Sequence, residues 1–406
     1  MTIEQSLNEC SGGVTAPRGF VAGGLYAGIR KAKKDLAIVQ STTPATAAGV
    51  FTLNKTQAAC ILVDKQQLHR AAKCSAIVVN SGNANACTGE RGLNDAWATV
   101  DATASALKVP REQVLVSSTG VIGQYLPMDK MVAGINELAS QLSPTGNRDA
   151  AEAIMTTDTF SKETAVKFSF GSSEITIGGM AKGSGMIAPN MATMLAFVTT
   201  DAVMDHALLA KALKQANAKS FNRITVDGDT STNDMALILA NGQARNKPIK
   251  DHSEEYQLFV AALEYVMIKL AKMIARDGEG ATKLVEILVT GAKTEEEAVQ
   301  AAKSVANSNL VKTAVHGADA NWGRILAAVG YSGIDFDPDA VEIAFDDVPV
   351  LKSNYEIVLD EERAKAALSK DAVVITIALN QGGAHARVWT CDLTKEYVHI
   401  NASYRS

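Results

Sequence analysis

The stretch GGMAKGSGMIAPNMATMLAFVTT, Gly178 to Thr200, holds four glycines, one lysine, a Pro189-Asn190 turn and then the apolar run Met194 to Val198. Ile175 to Ile177 before it and Leu195 to Val198 after it read as buried strands, so the glycine-rich part is a loop between two core strands. Working outward, Ser75 to Val79 reads as a strand running into a small polar turn, Asn80 to Ala86. Val114 to Val116 reads as another, ending in Ser117-Ser118-Thr119-Gly120. Val373 to Leu379 and Ala386 to Cys391 read as a hairpin around Asn380-Gln381-Gly382-Gly383. Three helices interleave with these strands. Asp205 caps one that carries Leu209, Leu213 and Ala216 on one face. Ser253 opens a longer one, with Phe259, Leu263, Val266, Leu270 and Ile274 at helical spacing and Gly278 as its stop. Thr294, followed by three glutamates, opens the third, through Ala298 to Val305. Strands alternating with helices predict an α/β fold of layered sheet and helix.

Composition narrows the function. In 406 residues, 39 Lys and Arg stand against 44 Asp and Glu, a net charge of −5. That balance offers no field to attract a phosphate backbone, which argues against nucleic acid as a partner. The chain is 47% apolar and 20% charged, which excludes a disordered or collagen-like chain. No apolar run reaches the length of a membrane span, and Met1 to Gly13 lacks the apolar core of a signal peptide. The five cysteines, Cys10, Cys60, Cys74, Cys87 and Cys391, are odd in number and never spaced C-x-x-C. They read as reduced, small buried residues of a cytoplasmic protein. The six histidines form no metal-ligand spacing, so no metal is expected.

On position alone, Thr193 is a β-branched residue at the start of a strand. Gly183-Ser184-Gly185 fits neither a phosphate-binding P-loop nor a dinucleotide fingerprint, since Pro189 and a strand follow rather than a helix. Ser184 lacks the G-x-S-x-G elbow of the α/β hydrolases. Thr119-Gly120 is by itself a turn after a strand, and Lys182 a loop charge. Glu279 follows a helix end, and Asn401 and Ser406 belong to a chain terminus.

The segment Lys182-Gly-Ser-Gly-Met-Ile-Ala-Pro-Asn-Met-Ala-Thr193-Met-Leu resembles the processing site of the ornithine acetyltransferase family, also called the glutamate N-acetyltransferase family. The resemblance runs the length of the chain. It includes Gly13 to Phe20, Ala47 to Asn54, Asn80 to Ala86, Ser118 to Gly123 and Met155 to Thr159. It continues through Phe221 to Asp234, Ala275 to Thr282 and Asp319 to Arg324. It implies a fold of two interlocked lobes, shared with a superfamily of aminopeptidases. It also implies a chain that cuts itself between Ala192 and Thr193, giving an alpha chain, 1–192, and a beta chain, 193–406.

The implied chemistry suits these residue types. The Thr193 hydroxyl attacks the Ala192 carbonyl, an N-to-O acyl shift gives an ester, and water releases the fragments. The freed α-amino group of Thr193 has a reference pKa of about 8 and serves as base toward its own hydroxyl, with no histidine needed. The resemblance makes Thr119 and Gly120 an oxyanion hole and makes Thr156, Lys182, Thr193, Glu279, Asn401 and Ser406 substrate-binding. By charge, Lys182 suits an α-carboxylate and Glu279 the distal ammonium of ornithine. The implied reaction is ping-pong: N-acetylornithine acetylates Thr193 and glutamate takes the acetyl group. Acetyl-CoA is a second implied donor, no cofactor is implied, and the fragments are expected to form a heterotetramer of two alpha and two beta chains. A related hydrolase, which sends water to the same acyl-enzyme, and an uncut binding protein are the competing readings.

Overall fold

The computed structural model describes residues 7–71, 73–171, 173–188 and 194–403. It divides into two compact units. The first takes 1–183, 189–222 and 230–270; the second takes 184–188, 223–229 and 271–406. Each unit therefore draws chain from both sides of the Ala192–Thr193 bond.

In chain order the first unit contains β1 (Asn8–Cys10), β2 (Phe20–Leu25), β3 (Leu36–Phe51), α1 (Ala59–Arg70), β4 (Lys73–Asn83), α2 (Gly89–Leu107) and β5 (Val114–Val121). It continues with α3 (Met128–Ala139), α4 (Asn147–Ala153), β6 (Lys162–Phe170), β7 (Ser173–Lys182), β8 (Leu195–Thr200), α5 (His206–Lys219), β9 (Met235–Ala240) and most of α6 (Glu254–Arg276). Among the described residues its strands form one nine-stranded sheet, in the order β1-β6-β7-β8-β9-β3-β4-β5, with β2 paired to the first half of β3. Two neighbouring pairs, β4/β5 and β8/β9, are parallel. Parallel neighbours need a crossover, and α2 and α5 supply it. The central strands β8 and β9, LAFVTT and MALILA, are buried at every residue, the signature of strands covered on both faces. Phe259, Leu263, Val266 and Leu270 of α6 are fully buried. At roughly 1.5–3 kcal/mol for each such side chain, this face alone contributes several kcal/mol. Gly179 lets the helix approach β7, since a Cβ there would stand 3.0 Å from Leu270 and 3.3 Å from Val266.

The second unit contains β10 (Leu284–Ala292), α7 (Glu295–Ala306), α8 (Asn309–His316), α9 (Trp322–Gly330), β11 (Glu342–Phe345), β12 (Val348–Lys352) and β13 (Glu356–Ile357). It ends with α10 (Glu361–Leu368), β14 (Ala372–Ala378), β15 (Ala384–Cys391) and α11 (Lys395–Ala402). Among the described residues its six strands run in the order β13-β12-β11-β14-β10-β15, and α7 packs on β10 and β15.

The expected caps are present: Asp205 accepts from Leu208 N–H at 3.1 Å, Ser253 from Tyr256 N–H at 3.1 Å and Thr294 from Glu297 N–H at 3.2 Å. Four expectations are corrected. The strands at 372–378 and 384–391 are not a hairpin, because β10 lies between them, parallel to one and antiparallel to the other. Their connecting loop wraps the end of β10: Leu379 and Gln381 donate N–H groups to Thr290 and Gly291 carbonyls at 2.8 and 2.7 Å. Asn80 to Asn83 is not a turn but the continuation of β4, paired with Ser118 to Val121 of β5. Asp392 to Val398, strand-like in sequence as it leads toward Asn401, is not a strand; Thr394 accepts from Glu396 N–H and opens α11. Cys60, Cys74 and Cys391 are buried as expected, but Cys87 is exposed and Cys10 partly so.

Candidate functional site

In the first unit, β7, β8 and β9 end in register, with Lys182 opposite Leu195 and Leu195 opposite Met235. Met235 N–H also donates to the Met194 carbonyl at 3.0 Å. The chain thus enters β8 from Thr193 at a place fixed on both sides. Thr193 itself, Ala192 and the Ala192–Thr193 bond lie outside the described residues, as does Ser406.

Thr119 and Gly120 close β5, in register with Ser81 and Gly82 of β4. Lys182 Nζ stands 3.5 Å from Thr119 Oγ1. An ammonium has donors only, so it leaves the Thr119 hydroxyl hydrogen available to a third group. Gly120 has φ of +125°, and a Cβ there would lie 2.1 Å from the Gly82 carbonyl oxygen. Gly120→Ala should therefore strain the β4–β5 pairing at the site and cost about 1–3 kcal/mol, read as a lowered melting temperature. An unchanged melt would show that these strand ends yield freely.

Thr156 and the start of the Gly183 loop are joined through Asp158. Its Oδ2 accepts Thr156 N–H at 2.9 Å, and its Oδ1 accepts Gly183 N–H and Lys162 Nζ, both at 2.7 Å. Asp158 and Lys162 are both shut off from solvent. Burial would push the Asp158 carboxyl up, but the Lys182 and Lys162 ammoniums and the Gly183 N–H outweigh it and hold it down to about 2. The unfolded chain's aspartate titrates near 3.9, so Asp158 stabilises the fold fully above that pH. This contribution, about 2 kcal/mol, is lost as pH falls through 4 toward 2. Acid titration of the melt should show this loss for the parent and not for a variant lacking both Asp158 and Lys162.

Asn233 and Asp234 lead into β9. Asn233 is buried, and its Nδ2 donates to the Ala84 and Ser118 carbonyls at 2.6 and 2.7 Å. It thereby ties the start of β9 to the residue preceding Thr119. Thr232 donates to Asn233 Oδ1 at 2.6 Å and fixes the amide orientation. Asp234 is buried; burial pushes its carboxyl well above the usual range, against the opposing effects of Ser231 and Lys182.

In the second unit, Ser184 donates to the Asp277 carbonyl at 2.7 Å, and Glu279 N–H donates to the Ser184 carbonyl at 3.2 Å. Glu279 is nearly buried, and Asn401 Nδ2 on α11 donates to its Oε2 at 2.7 Å. Gly185 leaves room for the Glu279 carboxylate here, since a Cβ would fall 2.3 Å from its carboxyl carbon and push the side chain aside. Asp227 accepts Met186 and Ile187 N–H groups at 2.6 and 2.9 Å, and Tyr397 OH at 3.3 Å. Burial and the nearby Asp227 push the Tyr397 hydroxyl above its ordinary value, so it stays a neutral donor.

The sequence-predicted residues thus gather as Thr119, Gly120, Thr156 and Lys182 in the first unit, and Glu279 with Asn401 in the second. Lys182 is not a solvated loop charge but a mostly buried strand-end residue. Asp158, Lys162, Asn233 and Asp227 were missed as functional residues. Three of them fall in quoted motifs, but their bonding partners are set by the fold alone.

The ArgJ family model matches residues 21–406. The arginine biosynthesis bifunctional protein ArgJ of Symbiobacterium thermophilum is 53% identical, over 98% of this chain and 99% of its own length. That of Caldanaerobacter subterraneus is 52% identical, over 97% and 99%. Among solved structures, the arginine biosynthesis bifunctional protein of Bacillus halodurans is 48% identical with a TM-score of 0.50, matching 51% of this chain and 98% of its own.

Proposed function

Because this chain belongs to the ArgJ family, we propose that it cuts its own Ala192–Thr193 bond and then carries an acetyl group from N-acetylornithine to glutamate on the Thr193 hydroxyl. It is an acetyltransferase of arginine biosynthesis. The observation that carries the site reading is the convergence at the head of β8. There Lys182 lies against Thr119, Gly120 follows Thr119 near the end of the β4–β5 pair, and Asp158 holds Thr156 beside Gly183.

In the first half-reaction the α-amine of Thr193 takes the hydroxyl proton as Oγ1 bonds the acetyl carbon. Negative charge collects on the acetyl oxygen, where the Thr119 hydroxyl and the Gly120 N–H receive it. The C–N bond breaks, the proton passes to the departing amine, and ornithine leaves. Glutamate's amine then attacks the ester and gives a proton to the Thr193 α-amine; the same two donors receive the second oxyanion, and the acetyl C–O bond to Thr193 breaks as that proton returns to Oγ1, releasing N-acetylglutamate. Lys182 holds the α-carboxylate of either amino acid. No cofactor takes part.

The sheet supports a cut chain that stays together. Strands β8 and β9 of 193–406 sit between β7 and β3 of 1–192, so separation would break two full strand interfaces. The Bacillus halodurans structure adds support, since its solved chain corresponds to only 51% of this one. Acetyl-CoA serves as a second donor to glutamate in this proposal, and two alpha and two beta chains form a heterotetramer. No helix among the described residues is long and apolar enough to cross a membrane, which agrees with work in the cytoplasm. The test is product analysis with N-acetylornithine and glutamate together. Ornithine and N-acetylglutamate in equal amounts are expected; free acetate as the main product would make the protein a hydrolase.

A further inference from the structure

Asp158 lies on no strand or helix, yet three donors from three places converge on its two oxygens. Thr156 N–H comes from its own loop, Lys162 Nζ from the first residue of β6, and Gly183 N–H from the residue just past β7. Lys162 is paired with Ala181 across β6 and β7, one residue from Lys182. Arg30 clamps the same loop from the other side, donating to the Met155 and Thr156 carbonyls at 2.7 and 3.2 Å. A carboxylate is the only side chain of this size that accepts from all three donors, because an amide has one acceptor oxygen and would turn N–H groups toward N–H groups. The anchored Gly183 opens the segment that ends at the Ala192–Thr193 bond. The anchored Thr156 is one of the residues assigned to substrate binding, and the adjacent Lys182 is the one assigned to the substrate's carboxylate.

From this juxtaposition, and resting on the acetyl-transfer reading above, we propose that Asp158 is the positioning residue that fixes the start of the self-cut segment and aims Thr156 and Lys182, so that self-cleavage and donor binding both depend on it. In this proposal Asp158 acts through the groups it holds. Catalytic geometry is sensitive to displacements of about 1 Å, which cost on the order of a hundredfold. Loss of the anchor should therefore reach both steps.

A purely structural role for the Asp158–Lys162 pair must be separated from positioning, because removing one partner of a buried pair is destabilising in itself. Three variants do this: Asp158→Asn, Asp158→Glu and the charge-balanced double variant Asp158→Asn/Lys162→Met. Self-cleavage is followed on denaturing gels, KM and kcat for N-acetylornithine on the cleaved fraction, and folding by thermal melt. Positioning predicts that the double variant regains the melting temperature lost by Asp158→Asn. It should still cleave at least about tenfold slower than the parent and show a KM raised about tenfold, with kcat changed far less. Asp158→Glu, which keeps the charge but moves the oxygens, should stay folded and show the same pattern. A folded double variant with parental cleavage and KM would overturn the proposal, as would failure of all three to fold, which would leave Asp158 a stability residue. If the parent protein neither cleaves nor transfers acetyl, the underlying reading fails instead.

Discussion

Thr193→Ala should leave the protein as one chain of 406 residues, while the parent runs as fragments 1–192 and 193–406, the second beginning Thr193-Met194-Leu195. The reason is chemical. An N-to-O acyl shift needs a hydroxyl at the residue after the cut, and alanine has none. The uncut chain also lacks a free α-amine at position 193, so acetyl transfer should fall by the full catalytic factor, at least about a thousandfold. The melt should change little. Burial of β8 and β9, and their pairing with β7 and β3, does not depend on the cut. Thr193→Ser, which keeps the hydroxyl, should cleave. Efficient cleavage of Thr193→Ala would remove Thr193 from both roles.

Thr119→Ala should lower acetyl transfer by roughly a hundredfold or more, the usual cost of one lost oxyanion donor. The loss should fall on kcat, with KM for N-acetylornithine nearly unchanged, because the hydroxyl is asked to donate only as charge develops. Lys182 makes the test sharper. Its ammonium, 3.5 Å from Thr119 Oγ1, remains after the substitution, so carboxylate binding should persist while turnover falls. Near-parental turnover would reduce Thr119 to the end of a strand.

Much of this was legible in the chain. The uninterrupted apolar run that became β8, and the caps Asp205, Ser253 and Thr294, are local signals, and the structure follows them. What failed was neighbourhood. Strands β14 and β15 have the pattern of a hairpin, but β10, some eighty residues earlier in the chain, takes the place between them. Alternation says which face is buried, not which strand lies alongside. Asn80 to Asn83 has the composition of a turn, yet pairing with β5 keeps it extended. The site divides the same way. Thr119, Gly120, Lys182 and Thr193 came from resemblance to a family rather than from spacing. Asn233 acts on Ala84 and Ser118, more than a hundred residues away, and no local pattern carries that bond. Asp158 and Lys162 stand four residues apart, but their meaning depends on Gly183 arriving beside them.

The acetyl-enzyme is the most direct measurement of the central claim. The cleaved protein is incubated with N-acetylornithine and no glutamate, and the intact fragments are weighed by mass spectrometry. One added acetyl group on 193–406, none on 1–192, and one equivalent of released ornithine are predicted; glutamate should then clear the label as N-acetylglutamate. An acetyl group on a lysine, or no label while N-acetylglutamate forms only when both substrates are present, would contradict an ester on Thr193.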